Sequence, residues 1–201
     1  MKKNNKVEVI DEVEEMEASG EDGYTAEVDI VGKTQLGFSF PFSTEAPADI
    51  LEKNHWRERI PVRSNGNAMI NPMALKKALD ATAKKQLGTV PGKGKAKYGG
   101  YFKSGVMVTE ELDLNVKPDK IPASKMFVAL PMQGRHWKNF PVLANWKTHA
   151  TIEVLDGIVK PEVLEKCLIK AGNTNGLGLY RPERGGYWGR FGIENFKVKK
   201  S

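Results

Sequence analysis

Apolar and polar residues alternate from Thr25 to Val31, with apolar side chains at 26, 28 and 30. That two-residue period marks a half-buried strand. Gly32-Lys33 offers a turn, Leu36–Phe40 alternates again, and Pro41 ends regular pairing. Residues 43–67 read as a long connection with one short helix near 47–56. The period then changes. Asn71 followed by Pro72 is a helix start, with Asn capping and Pro in the first turn. A helix over Pro72–Leu87 gathers Met73, Leu75, Leu79, Thr82 and Ala83 on one stripe, leaves Lys76 and Lys77 elsewhere, and stops at Gly88. Gly105–Thr109, Lys125–Leu130 and Lys147–Leu155 read as strands. Pro161–Ala171 reads as a helix with Val163, Leu164, Cys167 and Leu168 inward, and Arg190–Val198 as the last strand.

These elements form two strand–helix–strand units. The first uses 25–31, 72–87 and 102–109, and the second 147–155, 161–171 and 190–198. Two such units in one antiparallel sheet, with both helices on one face, give an α+β, ferredoxin-like fold. The segments at 36–40 and 125–130 are then a hairpin insertion or extra strands.

Charge divides the 201 residues into two parts. Residues 1–22 carry eight acids and three lysines, a net −5; the other 179 carry 28 bases and 17 acids, a net +11. Residues 1–23 therefore read as an acidic tail, either a solubilising leader or an arm that covers a basic groove. Val7, Val9 and Ile10 within it fit a short edge strand. Residues 24–201 read as one domain. No apolar run approaches the length of a membrane span, and no secretion signal opens the chain. The single cysteine leaves no internal disulfide and no cysteine-based zinc site. A cytoplasmic, reducing compartment is the expectation.

The basic excess concentrates in three segments. The last loop, Gly172–Phe191, combines glycines with Arg181, Arg184, Arg190, Tyr180, Tyr187 and Trp188. Glycines admit a close ligand backbone, arginines bridge phosphates, and aromatics stack on bases. Residues 81–109 lack acids and set Lys84, Lys85, Lys93, Lys95, Lys97 and Lys103 around Tyr98, Tyr101 and Phe102; its Gly/Lys part, 89–104, reads as a flexible loop. Residues 120–152 carry Arg135, His136 and Lys138 on a basic, aromatic connection spanning 131–145, where Gln133-Gly134-Arg135 fits a turn. There Trp137, Phe140 and Trp146 either stack on a ligand or anchor the core. A shared polyanion explains three such segments economically.

Catalytic patterns are sparse. His55, His136 and His149 lack metal-ligand spacing, and no nucleophile elbow is present. No metal or cofactor is implied. His136 beside Arg135 is the one candidate general acid/base, for metal-independent RNA cleavage.

The stretch Gly176–Phe191 resembles the ending of a group of uncharacterised phage and prophage proteins, as does the Val28–Thr34 turn. More distantly, the plan is similar to the RAMP superfamily, whose ferredoxin-like or RRM-like domains bind RNA beside a C-terminal Gly-rich loop. In that likeness the helix begun by Asn71 and Pro72 matches the first-unit helix, and Gly185–Gly189 matches the loop. Together these readings predict a non-enzymatic, single-stranded nucleic-acid-binding protein, RNA favoured over DNA, that self-assembles along its ligand. The alternative is a phage structural or protein-interaction component.

Overall fold

A computed structural model describes residues 23–130 and 134–200. The acidic tail and Gln133 lie outside them. The chain runs β1 (Tyr24–Gly32), β2 (Leu36–Gly37), α1 (Ala48–Asn54), β3 (Met69–Ile70), α2 (Pro72–Gln86), α3 (Tyr98–Gly105), β4 (Val106–Val108), β5 (Leu112–Asp113), β6 (Ala123–Leu130), β7 (Gly134–Leu143), β8 (Lys147–Val154), α4 (Pro161–Thr174) and β9 (Phe191–Lys200).

The main sheet has the order β4-β8-β1-β9, and every neighbouring pair is antiparallel. Units β1–α2–β4 and β8–α4–β9 thus interleave as the ferredoxin-like fold requires. The alternation read in the sequence is the cause. Tyr24, Ala26, Val28 and Ile30 of β1 are buried, as are Ala150, Ile152 and Val154 of β8. They meet Leu75, Leu79 and Ala83 of α2 and Leu164, Cys167 and Leu168 of α4 in one core. Each fully buried valine, leucine or isoleucine among them contributes on the order of 2 kcal/mol. The predicted cap forms: Asn71 Oδ1 accepts a hydrogen bond from the Met73 N–H at 2.8 Å.

Between the two units the chain builds a second sheet, β2-β7-β6, in which β6 and β7 are a long antiparallel hairpin. Four expectations change here. Residues 134–143 form a strand rather than a connection, so Arg135, His136 and Lys138 sit on β7. Residues 98–105 form a helix instead of flexible loop because Tyr98 and Phe102 are buried one turn apart on the same face; the strand that follows starts only at Val106. Lys76 is buried, its Nζ donating to the Phe102 carbonyl at 2.8 Å and paired with Asp80, while Met73 is exposed. The alternating 36–40 segment is a strand only over Leu36 and Gly37, beyond which the Phe38 N–H still bonds the Pro141 carbonyl at 3.0 Å.

α4 extends one turn past its predicted stop, carrying Gly172 inside the helix. A Cβ at Gly172 would lie 2.2 Å from the Phe191 carbonyl oxygen, so helix and strand meet backbone to backbone. Gly172→Ala should therefore destabilise by about 1–3 kcal/mol, although alanine is the better helix former. Urea unfolding checks this, and an unchanged or higher midpoint contradicts it.

Candidate nucleic-acid interface

The last loop is a built structure. Pro182–Arg184 is one turn of 3₁₀ helix, and Gly176, Gly178, Gly185 and Gly189 have positive φ. Its backbone is stitched to the fold: Leu177 N–H donates to the Gly189 carbonyl at 2.9 Å, Gly189 N–H to Gln35 at 2.8 Å, and Leu179 N–H to Gly37 at 2.9 Å. A Cβ on Gly189 would fall 1.7 Å from the Leu177 oxygen and one on Gly186 1.9 Å from the Tyr180 oxygen, so neither position admits a side chain. Trp188 is buried and meets Tyr180 edge-on at 5.3 Å, so it anchors the loop rather than offering a stacking face. Tyr187 and Arg184 are exposed. Arg190 bonds the Asn173 carbonyl through Nη1 at 2.5 Å. Arg181 pairs with Glu183 at 3.0 Å and donates to the Gly178 carbonyl at 3.3 Å.

Arg181 stands between two adjoining hollows. One, of about 310 Å³, lies between the first turns of α2 and the Gly176–Gly178 backbone, with Met73 and Lys77 on its wall. The other, of about 250 Å³, is mostly apolar and is lined by Phe38, Phe40, Pro41, Pro61 and Met69. Both include Asn71, Ala74, Gly178 and Arg181, so they form one groove. The helix leads away from it. Lys77 and Lys84 are both exposed and seven residues apart, hence on one face of α2. Beyond α2, Thr89 bridges Lys97, which places exposed Lys93, Lys95 and Lys97 at the helix's C-terminal end with Lys84 and Lys85. Groove and lysine cluster are thus separated by the helix length, roughly 22 Å for 15 residues. Sequence reasoning missed Lys77, although its seven-residue spacing from Lys84 was visible. Of the aromatics expected among these lysines, Tyr98 is buried and Tyr101 packs against the core, so neither presents an open ring. Lys103 is exposed near the end of α3.

The hairpin supplies the aromatic surface instead. Phe127 and Trp137 face each other across β6 and β7, with ring centroids 5.0 Å apart. They are 52% and 57% exposed. Lys125 Nζ sits 5.1 Å from the Trp137 ring, and alternation places Arg135 on the same face. His136 and Lys138 lie on the opposite face; Lys138 pairs with Glu52 at 3.6 Å. The hairpin base is braced. Glu52 accepts from Arg59 at 2.5 Å and from the Asn139 N–H at 3.1 Å, and Asn139 Nδ2 donates to the Glu52 carbonyl at 2.7 Å. Arg59 is buried between the Phe42 and Phe140 rings. Phe140 and Trp146 are core residues, whereas Trp137 is not.

The sheet face opposite the helices is charged. It presents Glu27 and Asp29 of β1, Lys147 and His149 of β8 and Lys197 and Lys199 of β9. His149 Nδ1 lies 3.0 Å and Lys147 Nζ 3.1 Å from Asp29, and Lys199 lies 2.6 Å from Glu27. Base stacking on the sheet itself, the RRM mode, finds no aromatic on this face, because Tyr24 and Phe191 are buried in the core and Phe196 packs against it. Cys167 is buried against Leu79, and desolvation pushes its thiol up to about 12, which makes it an inert packing residue.

Solved structures share the fold. A chain in the cryo-EM structure of the type III-B Cmr-beta bound to cognate target RNA aligns with a TM-score of 0.56 at 12% identity, over 89% of this chain. This chain spans 61% of the length of that one. Cmr6 from Pyrococcus furiosus aligns at 10% identity with a TM-score of 0.46, over 84% of this chain and 97% of Cmr6. At these identities the likeness is one of fold, and it accords with the interleaved strand order of the main sheet. No family model and no curated protein matches the chain, so the phage resemblance gains no support. Among the described residues no helix is long and apolar enough to cross a membrane.

Hydrogen bonds from His149, Asn195 and Lys147 hold the Asp29 carboxyl well below the usual carboxylate range. A depressed native pKa contributes stability above the unfolded value near ~4, and that contribution fades as pH falls toward the native value. Asp29→Asn should therefore lower Tm at pH 7, with the gap to wild type shrinking below about pH 4. A gap of equal size at pH 3, read by thermal melts across pH, contradicts this account.

Proposed function

We propose that the protein binds single-stranded nucleic acid, RNA in preference to DNA, and acts without catalysing a reaction. One observation carries the reading: two large aromatic rings, Phe127 and Trp137, stand exposed side by side on a braced hairpin with Lys125 over one of them. Exposed rings beside cations stack unpaired bases while neutralising phosphate. Arg181 and the groove would hold one part of the strand. Lys77, Lys84, Lys85, Lys93, Lys95 and Lys97 would follow its phosphates along α2. Arg184, Tyr187, Arg190 and Lys103 would contribute at the margins. The fold neighbour described as bound to target RNA supports this choice of ligand. Self-assembly along a strand and a phage setting belong to the same proposal.

The same aromatic pair also favours a second reading, in which the hairpin docks a partner protein. Oligonucleotide titrations separate the two. Under the first reading an unstructured RNA binds at low salt and its affinity falls steeply as salt rises. Trp137→Ala should weaken binding roughly 5- to 150-fold, the range for one stacked base, with Tm unchanged. Replacing Lys93, Lys95 and Lys97 together by Ala should reduce the log–log salt slope by about 2. Absence of RNA binding at 50 mM salt sinks the nucleic-acid reading.

A further inference from the structure

Arg181 is the cation common to both hollows of the groove. In the free chain its guanidinium is already engaged. Nε lies 3.1 Å and Nη2 3.0 Å from one carboxylate oxygen of Glu183, and Nη1 donates to the Gly178 carbonyl at 3.3 Å. The guanidinium edge that suits the oxygens of an anion is thus filled by a side chain two residues away.

The fold does not depend on this pair. Backbone bonds set the turn: the Glu183 N–H donates to the Asn175 carbonyl at 3.2 Å, and the Arg184 and Gly186 N–H groups donate to the Arg181 carbonyl at 2.9 and 3.1 Å. Asn175 is buried and donates through Nδ2 to the Ala78 carbonyl of α2 at 3.1 Å, which ties the turn to the helix. Among the described residues the Glu183 carboxylate bonds no group but Arg181. The two side chains are 29% and 31% exposed, and a pair this open to water is held weakly. Glu183 is therefore a replaceable partner.

The neighbouring hollow suits more than a bare anion. Phe38, Phe40, Pro41, Pro61 and Met69 make its wall apolar, and Phe40 is half exposed. Asn71, the amide at its rim, spends its Oδ1 on the Met73 N–H. An unstacked base carried beside a phosphate would cover this wall, whereas inorganic phosphate would leave it bare.

We propose that Glu183 is an intrachain stand-in for phosphate: it holds Arg181 in the free protein, and a phosphodiester of the bound strand takes its place while the adjacent base enters the apolar hollow. This rests on the single-stranded nucleic-acid function proposed above and adds a selection step to it. Any anion must first displace Glu183, and only a ligand that also fills the hollow gains enough to offset that loss. The contact thus discriminates against anions without a base.

Anisotropy titrations of a labelled oligouridylate test this. Glu183→Gln should bind roughly 2- to 5-fold tighter than the wild type, the range for release of an exposed ion pair. The gain should vanish in an Arg181→Ala background. Glu110→Gln, which makes the same change in net charge but lines neither hollow, should give no such gain. Equal affinity of wild type and Glu183→Gln, or an equal gain from Glu110→Gln, overturns the proposal and leaves the nucleic-acid function standing. Absence of binding by both wild type and Glu183→Gln overturns both. In NMR spectra of the wild type, the oligouridylate should shift the Arg181 Nε–H and Glu183 carboxyl signals together, and inorganic phosphate at equal phosphate concentration should shift neither. A Glu183 carboxyl signal unmoved at saturation with RNA, or moved as far by inorganic phosphate, contradicts the exchange as proposed.

Discussion

Close backbone contact at the end of the chain governs the rest of the molecule. Gly172 lets α4 touch β9, and Gly186 and Gly189 let the final loop fold onto itself where any side chain would collide with a carbonyl. Those contacts set the path of the loop from α4 to the last strand. The loop then bonds Gln35 and Gly37, which fixes β2 against β7 and so fixes the hairpin. Tyr180 continues the link by meeting both Trp188 and Phe140 edge-on. The groove, the hairpin and the sheet are thus positioned by a loop that owes its shape to absent side chains.

The division of labour follows from this. The main sheet is structural on one face and carries ion pairs on the other, so the exposed cations and rings lie in what is inserted between and after the two units. Cations stay exposed where glycine-rich or helix-terminal backbone presents them, and aromatic rings stay exposed only where a two-stranded hairpin has no second layer to bury them. The Glu52–Arg59 pair is costly to bury in isolation. Here Glu52 also satisfies Asn139 and lies near Lys138, so the ion pair carries the hairpin base as well as itself.

The ferredoxin-like core was legible because its strands are half-buried. Ala26, Val28 and Ile30 alternate cleanly, and Asn71 with Pro72 announces the helix to within a residue. β7 was not legible for the converse reason. Residues 134–139 have no buried face, so no alternation marks them, and pairing with β6 alone makes them a strand. α3 was hidden by Gly99, Gly100 and Gly105, poor helix formers outweighed by the burial of Phe102. At the site, the cations of the groove and loop were visible as charge without acids. Aromatic roles were not, because burial is decided by the tertiary fold: Trp188 and Tyr98 went inward and Trp137 outward from equally basic surroundings.

The placement of cations at both ends of α2 has one more consequence. A rigid helix makes the spacing of its two ends a fixed ruler, and under the proposed function the groove and the lysines would act on it as a bivalent receptor. A flexible polyanion bound at Arg181 would hold its own neighbouring phosphates at high effective concentration near the lysines beyond Lys84, provided it is long enough to span the gap. Avidity would then select ligands by contour length before any base is read, and a ligand too short to reach both ends would be held by one alone.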